Sequence, residues 1–179
     1  MRNRNQSEML RDYIRRGNSV LDVGCGTGHL TKCLEEMYAA EATGLDVKDF
    51  RVAPIPFRDF DGASIPFPDQ TFDHVVLSFT LHHSHDPMTL IQECRRVARR
   101  SILVFEDLPD SRFGRILVSL HVELFRRYFR LKLPGGDYRS ALAWLGGKAV
   151  NVVRTAMPYE WFDHLYVPRF LHVYALSDD

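Results

Sequence analysis

Three glycines at alternate positions, Gly24, Gly26 and Gly28, follow directly on the short apolar run "SVLDV", whose one charged residue is Asp22. A second acid, Asp46, closes the next apolar run, "EATGLD". After the glycines, Leu30, Cys33, Leu34, Met37 and Tyr38 recur at helical spacing. The chain therefore passes from a strand through a glycine turn into a helix, whose free N–H groups can hold a polar ligand. The charges say which kind. A dinucleotide turn wants G-x-G-x-x-G, and here His29 stands where the last glycine belongs. A Walker-type phosphate loop needs Lys followed by Ser or Thr, and that pair is not present in this turn. Asp22 would repel a pyrophosphate and attract an ammonium group. An acid at the end of the second strand, as Asp46 is, can accept hydrogen bonds from both hydroxyls of a ribose. The expected ligand has a ribose and a positive charge, and needs no phosphate.

A second set of residues could move protons. His82, His83 and His85 come just past the apolar run "TFDHVVLSF", and Glu106 and Asp107 end the run "SILVFED". All fall at carboxyl ends of expected strands, where ligands bind in open α/β sheets. Each could act as a general base, or only pack and cap. The cluster "HHSHD" invites a metal reading, but adjacent ligands point apart and no cysteine stands nearby, so no metal site is expected. Cys25, inside the glycine turn, has no basic neighbour to activate it and reads as small filler.

The elements that must position these groups can be read in order. Residues 6–16 read as a helix stopped by Gly17. Strands are expected at 19–23, at "EATGLDV", more weakly at "PIPFRDF", at "TFDHVVLSF" and at "SILVFED", with a helix over 28–39. Asp86 and Pro87 supply an N-cap and a first helical residue, and Leu90, Cys94, Val97 and Ala98 the buried stripe behind them. Asp69 and Asp73 read as turn and cap residues, and Arg95, Arg96, Arg99 and Arg100 as a solvated helix end. Residues 47–54 are too few for a full crossover helix and allow at most one helical turn. Alternation of strand and helix implies a parallel sheet with right-handed crossovers. After a short helix at 138–146, "AVNVVRTAM" and "RFLHVYAL" read as a late antiparallel pair at the sheet edge.

The chain has 179 residues, 45% of them hydrophobic, which suits one domain with a real core. Lys plus Arg equals Asp plus Glu at 23 each, so nothing global favours nucleic acid or anionic lipid. Three cysteines without ligand spacing fit reduced thiols in a cytoplasmic protein. No apolar run is long enough to span a membrane, and the polar start "MRNRNQSEM" does not read as a secretion signal.

"VLDVGCGTG", "TGLDV" and "DGASIPFPDQTFDHVVLSFTLHH" together resemble the first four motifs of class I S-adenosylmethionine-dependent methyltransferases, in their small-molecule branch. The resemblance is strong over residues 20–106 and weaker over 136–176. It implies an α/β, doubly wound, mostly parallel Rossmann-like seven-stranded sheet with an antiparallel last strand. It also implies a single methyltransferase-like domain over 1–179, and S-adenosyl-L-methionine as cofactor. The cofactor set it carries over is Asp22, Gly24, Cys25, Gly26, Asp46, Val47, Asp61, Gly62, Ser78 and Phe79. Asp22 would serve the methionine amino group, Asp46 the ribose and Asp61 the adenine amino group, with Ser78 and Phe79 along the methionyl chain. His82, His83 and Glu106 are the catalytic candidates. The chain departs from the pattern in a short segment after Asp46, a short stretch before the first strand, and "ARRS" where a Pro-Gly-Gly turn is common. The expected reaction is direct displacement onto a small, apolar or aromatic acceptor. A non-catalytic methyltransferase-like binding protein, or an enzyme acting on RNA or protein, are the alternatives. Nucleic acid is disfavoured because "SFTL" replaces the Asn-Pro-Pro-aromatic pattern after strand four and no aromatics interleave the arginines.

A helical insert is expected at about 110–135. Phe113, Ile116, Leu117, Leu120 and Leu124 share one face, and Val118, Val122, Phe125 and Phe129 widen it beyond one stripe. A substrate pocket, a second subunit in a homodimer or a membrane surface could cover it. A lid over the acceptor is the first expectation, because the insert leaves from the active edge. His121, Trp161, His164 and Tyr166 are the substrate-binding candidates.

Overall fold

Runs of Val, Ile and Leu too short for a helix make the strands. β1 (Ser19–Val23), β2 (Glu41–Asp46), β3 (Phe57–Asp59), β4 (Phe72–Ser78) and β5 (Ala98–Asp107) are joined by α2 (His29–Tyr38) and α3 (Pro87–Val97), after an N-terminal α1 (Arg2–Met9). α4 (Tyr138–Gly146), β6 (Asn151–Ala156) and β7 (Arg169–Ala175) complete the domain. The computed structural model describes residues 2–107, 137–157 and 169–177, together with Ile116, Ser119, Leu120, Glu123, Leu124 and Arg127. The last six are helical positions, and the rest of the expected insert lies outside the described residues.

The strands form one seven-stranded sheet in the order β3-β2-β1-β4-β5-β7-β6. β1 pairs parallel with both β2 and β4, and β4 with β5. β7 inserts antiparallel between β5 and β6, leaving β6 at the edge. This is the expected Rossmann-like architecture. The strand order reverses between β1 and β4, and the crevice at their carboxyl ends is where such sheets bind ligands. Side chains alternate along each strand, so β5 feeds two cores. Ile102 and Val104 pack with α3 and α4, and Leu103 and Phe105 pack beside α1 and α2. Asp22 shares its face with Val20, toward α2, while Glu106 shares its face with Val104, toward α4.

Several local expectations needed correction. The first helix ends at Met9, not at 16. Leu10 and Ile14 are still wholly buried, but in turns closed by Leu10 N–H to the Ser7 carbonyl and Ile14 N–H to the Leu10 carbonyl. The apolar spacing marked burial there, not helix. The arginine cluster is a solvated helix end only at Arg95, exposed in the last turn of α3. Arg99 and Arg100 lie in β5. Arg96 donates to Glu93, to Asp69 and to the Ile65 and Phe67 carbonyls, stapling the loop before β4 to α3. Asp73 is a brace between strands, accepting from both the backbone N–H and the hydroxyl of Ser19. The Asp86 cap is present, accepting from Thr89 N–H at 3.0 Å ahead of Pro87.

Candidate functional site

The glycine turn is held from three sides. Gly24, Gly26 and Gly28 all have positive φ, +73°, +52° and +77°. Gly24 N–H donates to the Leu45 carbonyl at 2.7 Å, which ties the turn to β2. A Cβ at Gly24 would lie 2.3 Å from Thr80 Oγ1, and one at Gly28 2.8 Å from Ile55 Cδ1. At Gly26 a Cβ would meet nothing within 4 Å. Gly26 therefore borders open space, while its neighbours are glycine because the chain packs against them. Gly24→Ala combines a left-handed backbone with a clash and should destabilise the fold by about 2–4 kcal/mol. Gly26→Ala meets only the backbone penalty, about 1–2 kcal/mol. Urea unfolding of the two variants checks the order.

Asp22 is the most unusual group of the turn. Its side chain is buried; Oδ2 accepts from the Thr31 hydroxyl at 2.6 Å, and Oδ1 has no partner. Burial, opposed by the Thr31 hydrogen bond and reinforced by the charge of Asp46, raises its pKa to about 6. A buried carboxylate oxygen without a donor is costly unless a cation completes it. Asp46 ends β2 half-buried, with Oδ2 accepting from Gly26 N–H at 2.8 Å and Oδ1 from Val47 N–H at 2.7 Å. Burial raises its pKa too, against those backbone hydrogen bonds. Each carboxylate oxygen has two lone pairs, so the backbone orients the group and leaves it able to accept from a diol. Val47 is exposed beside it. Cys25 is buried, and burial together with the charges of Asp22 and Asp46 pushes its thiol well above the usual range, so it is no nucleophile.

Asp61 and Gly62 sit in the loop after β3. Asp61 is exposed, and Oδ1 accepts from Ala63 N–H at 2.9 Å and Ser64 N–H at 2.7 Å, which lowers its pKa. At the end of β4, Ser78 Oγ accepts from Gln6 Nε2 at 2.8 Å, so α1 reaches over this edge despite the short N-terminal stretch. Phe79 adopts a left-handed φ of 55°, uncommon for an aromatic residue, and its N–H donates to the Phe105 carbonyl. Left-handed backbone at non-glycine residues concentrates at functional sites.

On the other face of the sheet, the pair His82–Glu106 is fully enclosed. His82 Nδ1 lies 2.6 Å from Glu106 Oε2, and Leu81 N–H donates to Oε1 at 2.8 Å. The single-turn 3-10 helix Leu81–His83 is thus fastened to the end of β5 by one carboxylate. The His83 ring lies 4.1 Å from that of His82, and Tyr138 of α4 meets His82 edge-on at 6.2 Å. His85 is exposed beyond the turn. His121, Trp161, His164 and Tyr166 lie outside the described residues.

A family model described as "Methyltransferase domain" matches residues 21–105, the span from β1 to β5 that carries the glycine turn, Asp22, Asp46, Asp61, Ser78, Phe79 and His82. The chain is 33% identical over 145 residues to a demethylmenaquinone methyltransferase of Geobacillus sp. (strain WCH70), covering 72% of this chain and 59% of that protein. The matched span is a methyltransferase domain of the class I S-adenosylmethionine-dependent kind. The chain is also 28% identical to the O-methyltransferase cnsE of Penicillium expansum, over 76% of this chain and 54% of that one. It spans less than two thirds of the length of either relative. Among solved structures, an S-adenosylmethionine-dependent methyltransferase from Aquifex aeolicus superposes with a TM-score of 0.65 at 17% identity, over 96% of this chain and 89% of that one. The [4+2]-cyclase SpnF gives a TM-score of 0.68 at 17% identity, over 97% and 80%. Such likeness is one of fold, and a fold shared with a cyclase does not by itself specify methyl transfer.

S-adenosylmethionine is the cofactor of this methyltransferase family, and the residues present fit it. The unpartnered Oδ1 of Asp22 suits its ammonium group, Asp46 its ribose, and the open space at Gly26 its close approach. Gln6, Thr31 and Thr80, which touch Ser78, Asp22 and the Gly24 turn, were missed by sequence reasoning. Thr31 alone carried a signal, a hydroxyl in the first turn of the helix that follows the acid.

Proposed function

We propose that the protein transfers a methyl group from S-adenosylmethionine to a small, apolar or aromatic acceptor by direct displacement. The observation that carries this reading is the buried Asp22 carboxylate with one oxygen unpartnered beside the glycine turn at the sheet's switch point. The relatives named for demethylmenaquinone and for O-methylation support a small-molecule acceptor. The cofactor, when bound, supplies an activated methyl donor. The chain's part is to align the two reactants and exclude water. Asp22 would take the ammonium group and Asp46 the ribose hydroxyls, with Asp61 and the Gly62 N–H near the adenine. In the tautomer whose Nδ1–H donates to Glu106, His82 Nε2 would be the atom that removes the acceptor's proton as the new bond to carbon forms. His83, its ring 4.1 Å from that of His82, would stand beside it as the other histidine candidate. His121, Trp161, His164 and Tyr166 remain the candidate acceptor contacts. Three free cysteines support a reducing, cytoplasmic setting, and among the described residues no helix is long and apolar enough to cross a membrane.

Isothermal calorimetry with S-adenosylmethionine and S-adenosylhomocysteine tests the cofactor half. Both should bind, and Asp46→Ala should weaken binding by about 1–3 kcal/mol through lost charged hydrogen bonds. Absence of heat at millimolar ligand would sink the reading. Release of S-adenosylhomocysteine with a panel of phenols and quinols tests the other half. A non-catalytic binding protein is the second reading, favoured by the near-complete burial of His82 and Glu106. Cofactor binding without turnover on any acceptor would select it.

A further inference from the structure

α4 and the edge strands β6 and β7 border an open cleft of about 370 Å³ that none of the groups described above uses. Arg139 of α4 and Arg154 of β6 both line it, and among the described residues no acid does. Asp137 is near in sequence, but it caps α4, accepting from Ser140 N–H at 3.2 Å, and is not part of the lining. The Arg154 guanidinium sits 3.5 Å from the centre of the Phe170 ring and has no ion-pair partner among the described residues. Contact with an aromatic face leaves the in-plane N–H donors of a guanidinium available. Two such groups beside one cleft repel each other and draw an anion.

The floor of the cleft points to a ligand independently. His172 is 6% exposed, and its Nε2 is buried without a hydrogen-bond partner. Its ring is stacked with that of Tyr174, 6.2 Å away and 12° from parallel. Burial, and then the charge of Arg154, lower the pKa of His172 to about 4, so the ring is neutral at neutral pH. A buried ring nitrogen left unpaired is costly, and a ligand oxygen at the floor would complete it. Leu142, Val152 and Tyr174 make much of the remaining wall apolar. That volume and that wall suit a molecule with a body rather than a bare ion.

We infer that this cleft binds a small organic acid, its carboxylate between Arg139 and Arg154 and its apolar body against Leu142, Val152 and Tyr174. Guanidinium groups favour a planar carboxylate because their paired N–H donors match its two oxygens. In the sheet, His172 stands opposite Val104 and Phe170 opposite Glu106, so the cleft opens on the face that carries the His82–Glu106 pair. α4 borders both places, with Tyr138 against His82 and Arg139 at the cleft. Binding of the acid needs neither cofactor nor methyl transfer, so this site and the proposed function can fail separately.

Titration with benzoate, followed through the backbone amide signals of Val152, Arg154 and His172 by nuclear magnetic resonance, tests the assignment. These signals should shift saturably with a Kd of about 1 mM or below, and saturating S-adenosylhomocysteine should leave the shifts in place. Benzamide, of the same shape but neutral, should bind about tenfold or more weakly. Arg139→Gln and Arg154→Gln should each weaken benzoate binding about fivefold or more. Unchanged melting temperature and S-adenosylhomocysteine affinity would show that both variants fold. Absence of saturable shifts at these residues up to about 50 mM benzoate overturns the inference. So does benzamide binding as well as benzoate, or a folded Arg154→Gln variant with the affinity of the parent. Displacement of benzoate by S-adenosylhomocysteine would overturn it by placing the acid in the cofactor site, and displacement by a lower concentration of inorganic phosphate would overturn it by assigning the cleft to phosphate.

Discussion

Asp22→Asn is expected to weaken S-adenosylhomocysteine binding by about 1.5–3 kcal/mol, roughly 10- to 100-fold, the worth of a hydrogen bond to a charged group. The same substitution should change how stability depends on pH. In the ligand-free protein the pKa of Asp22 is raised from 3.8 to about 6, chiefly by burial. The folded chain therefore holds this proton more tightly than the unfolded chain does. The stability so gained is fully present below the unfolded value and is lost as pH rises through about 6. Apo protein should thus lose stability between about pH 4 and 7, by on the order of 3 kcal/mol for a displacement of that size. An asparagine cannot ionise, so that slope should flatten in the variant. A ligand ammonium compensates the carboxylate, so cofactor affinity should fall as pH drops below about 6 in the parent and stay level in the variant. Calorimetry and urea unfolding across this range give both results. An affinity that does not change with asparagine at this position would remove Asp22 from the cofactor site.

Glu106→Gln should lower kcat by about 100-fold or more while leaving S-adenosylhomocysteine affinity within about threefold. The glutamine oxygen can still accept from Leu81 N–H, which the glutamate holds at 2.8 Å, so the turn survives. Its amide nitrogen then faces His82 Nδ1 and donates to it. The imidazole must shift its proton to Nε2, and the lone pair needed to receive the acceptor's proton is gone. His82→Ala should give a similar loss in kcat without disturbing the Leu81 bond. Glu106→Ala differs, because it strips the buried Leu81 N–H of its acceptor and should cost about 1–3 kcal/mol of stability as well. If Glu106→Gln and His82→Ala turn over like the parent on an acceptor that must lose a proton, the pair only pins the turn Leu81–His83 to β5.

The sheet, the glycine turn and the class of ligand were legible along the chain. Apolar runs of four to seven residues, punctuated by glycine and by Asp86–Pro87, are local signals, and local chain geometry fixes what they can form. The placement of Asp22 and Asp46 one on each of two adjoining strand ends follows from that order, because parallel neighbours put successive carboxyl ends at one edge. What needed the tertiary structure were the pairings across the chain. Gln6 meets Ser78, Thr31 meets Asp22, and Glu106 meets His82 at sequence separations of 72, 9 and 24. Three histidines and two acids could move protons, and His82, His83 and Glu106 were the catalytic candidates, but only the register of β4 against β5 sets Glu106 beneath His82 and leaves His85 in solvent. Arg96, in the last turn of α3, read as solvated for the same reason, since its acceptors on Asp69, Ile65 and Phe67 lie nearly thirty residues away or more. Composition and spacing act along the chain, whereas burial, hydrogen-bond partners and the pKa of Asp22 depend on what the fold brings up from elsewhere.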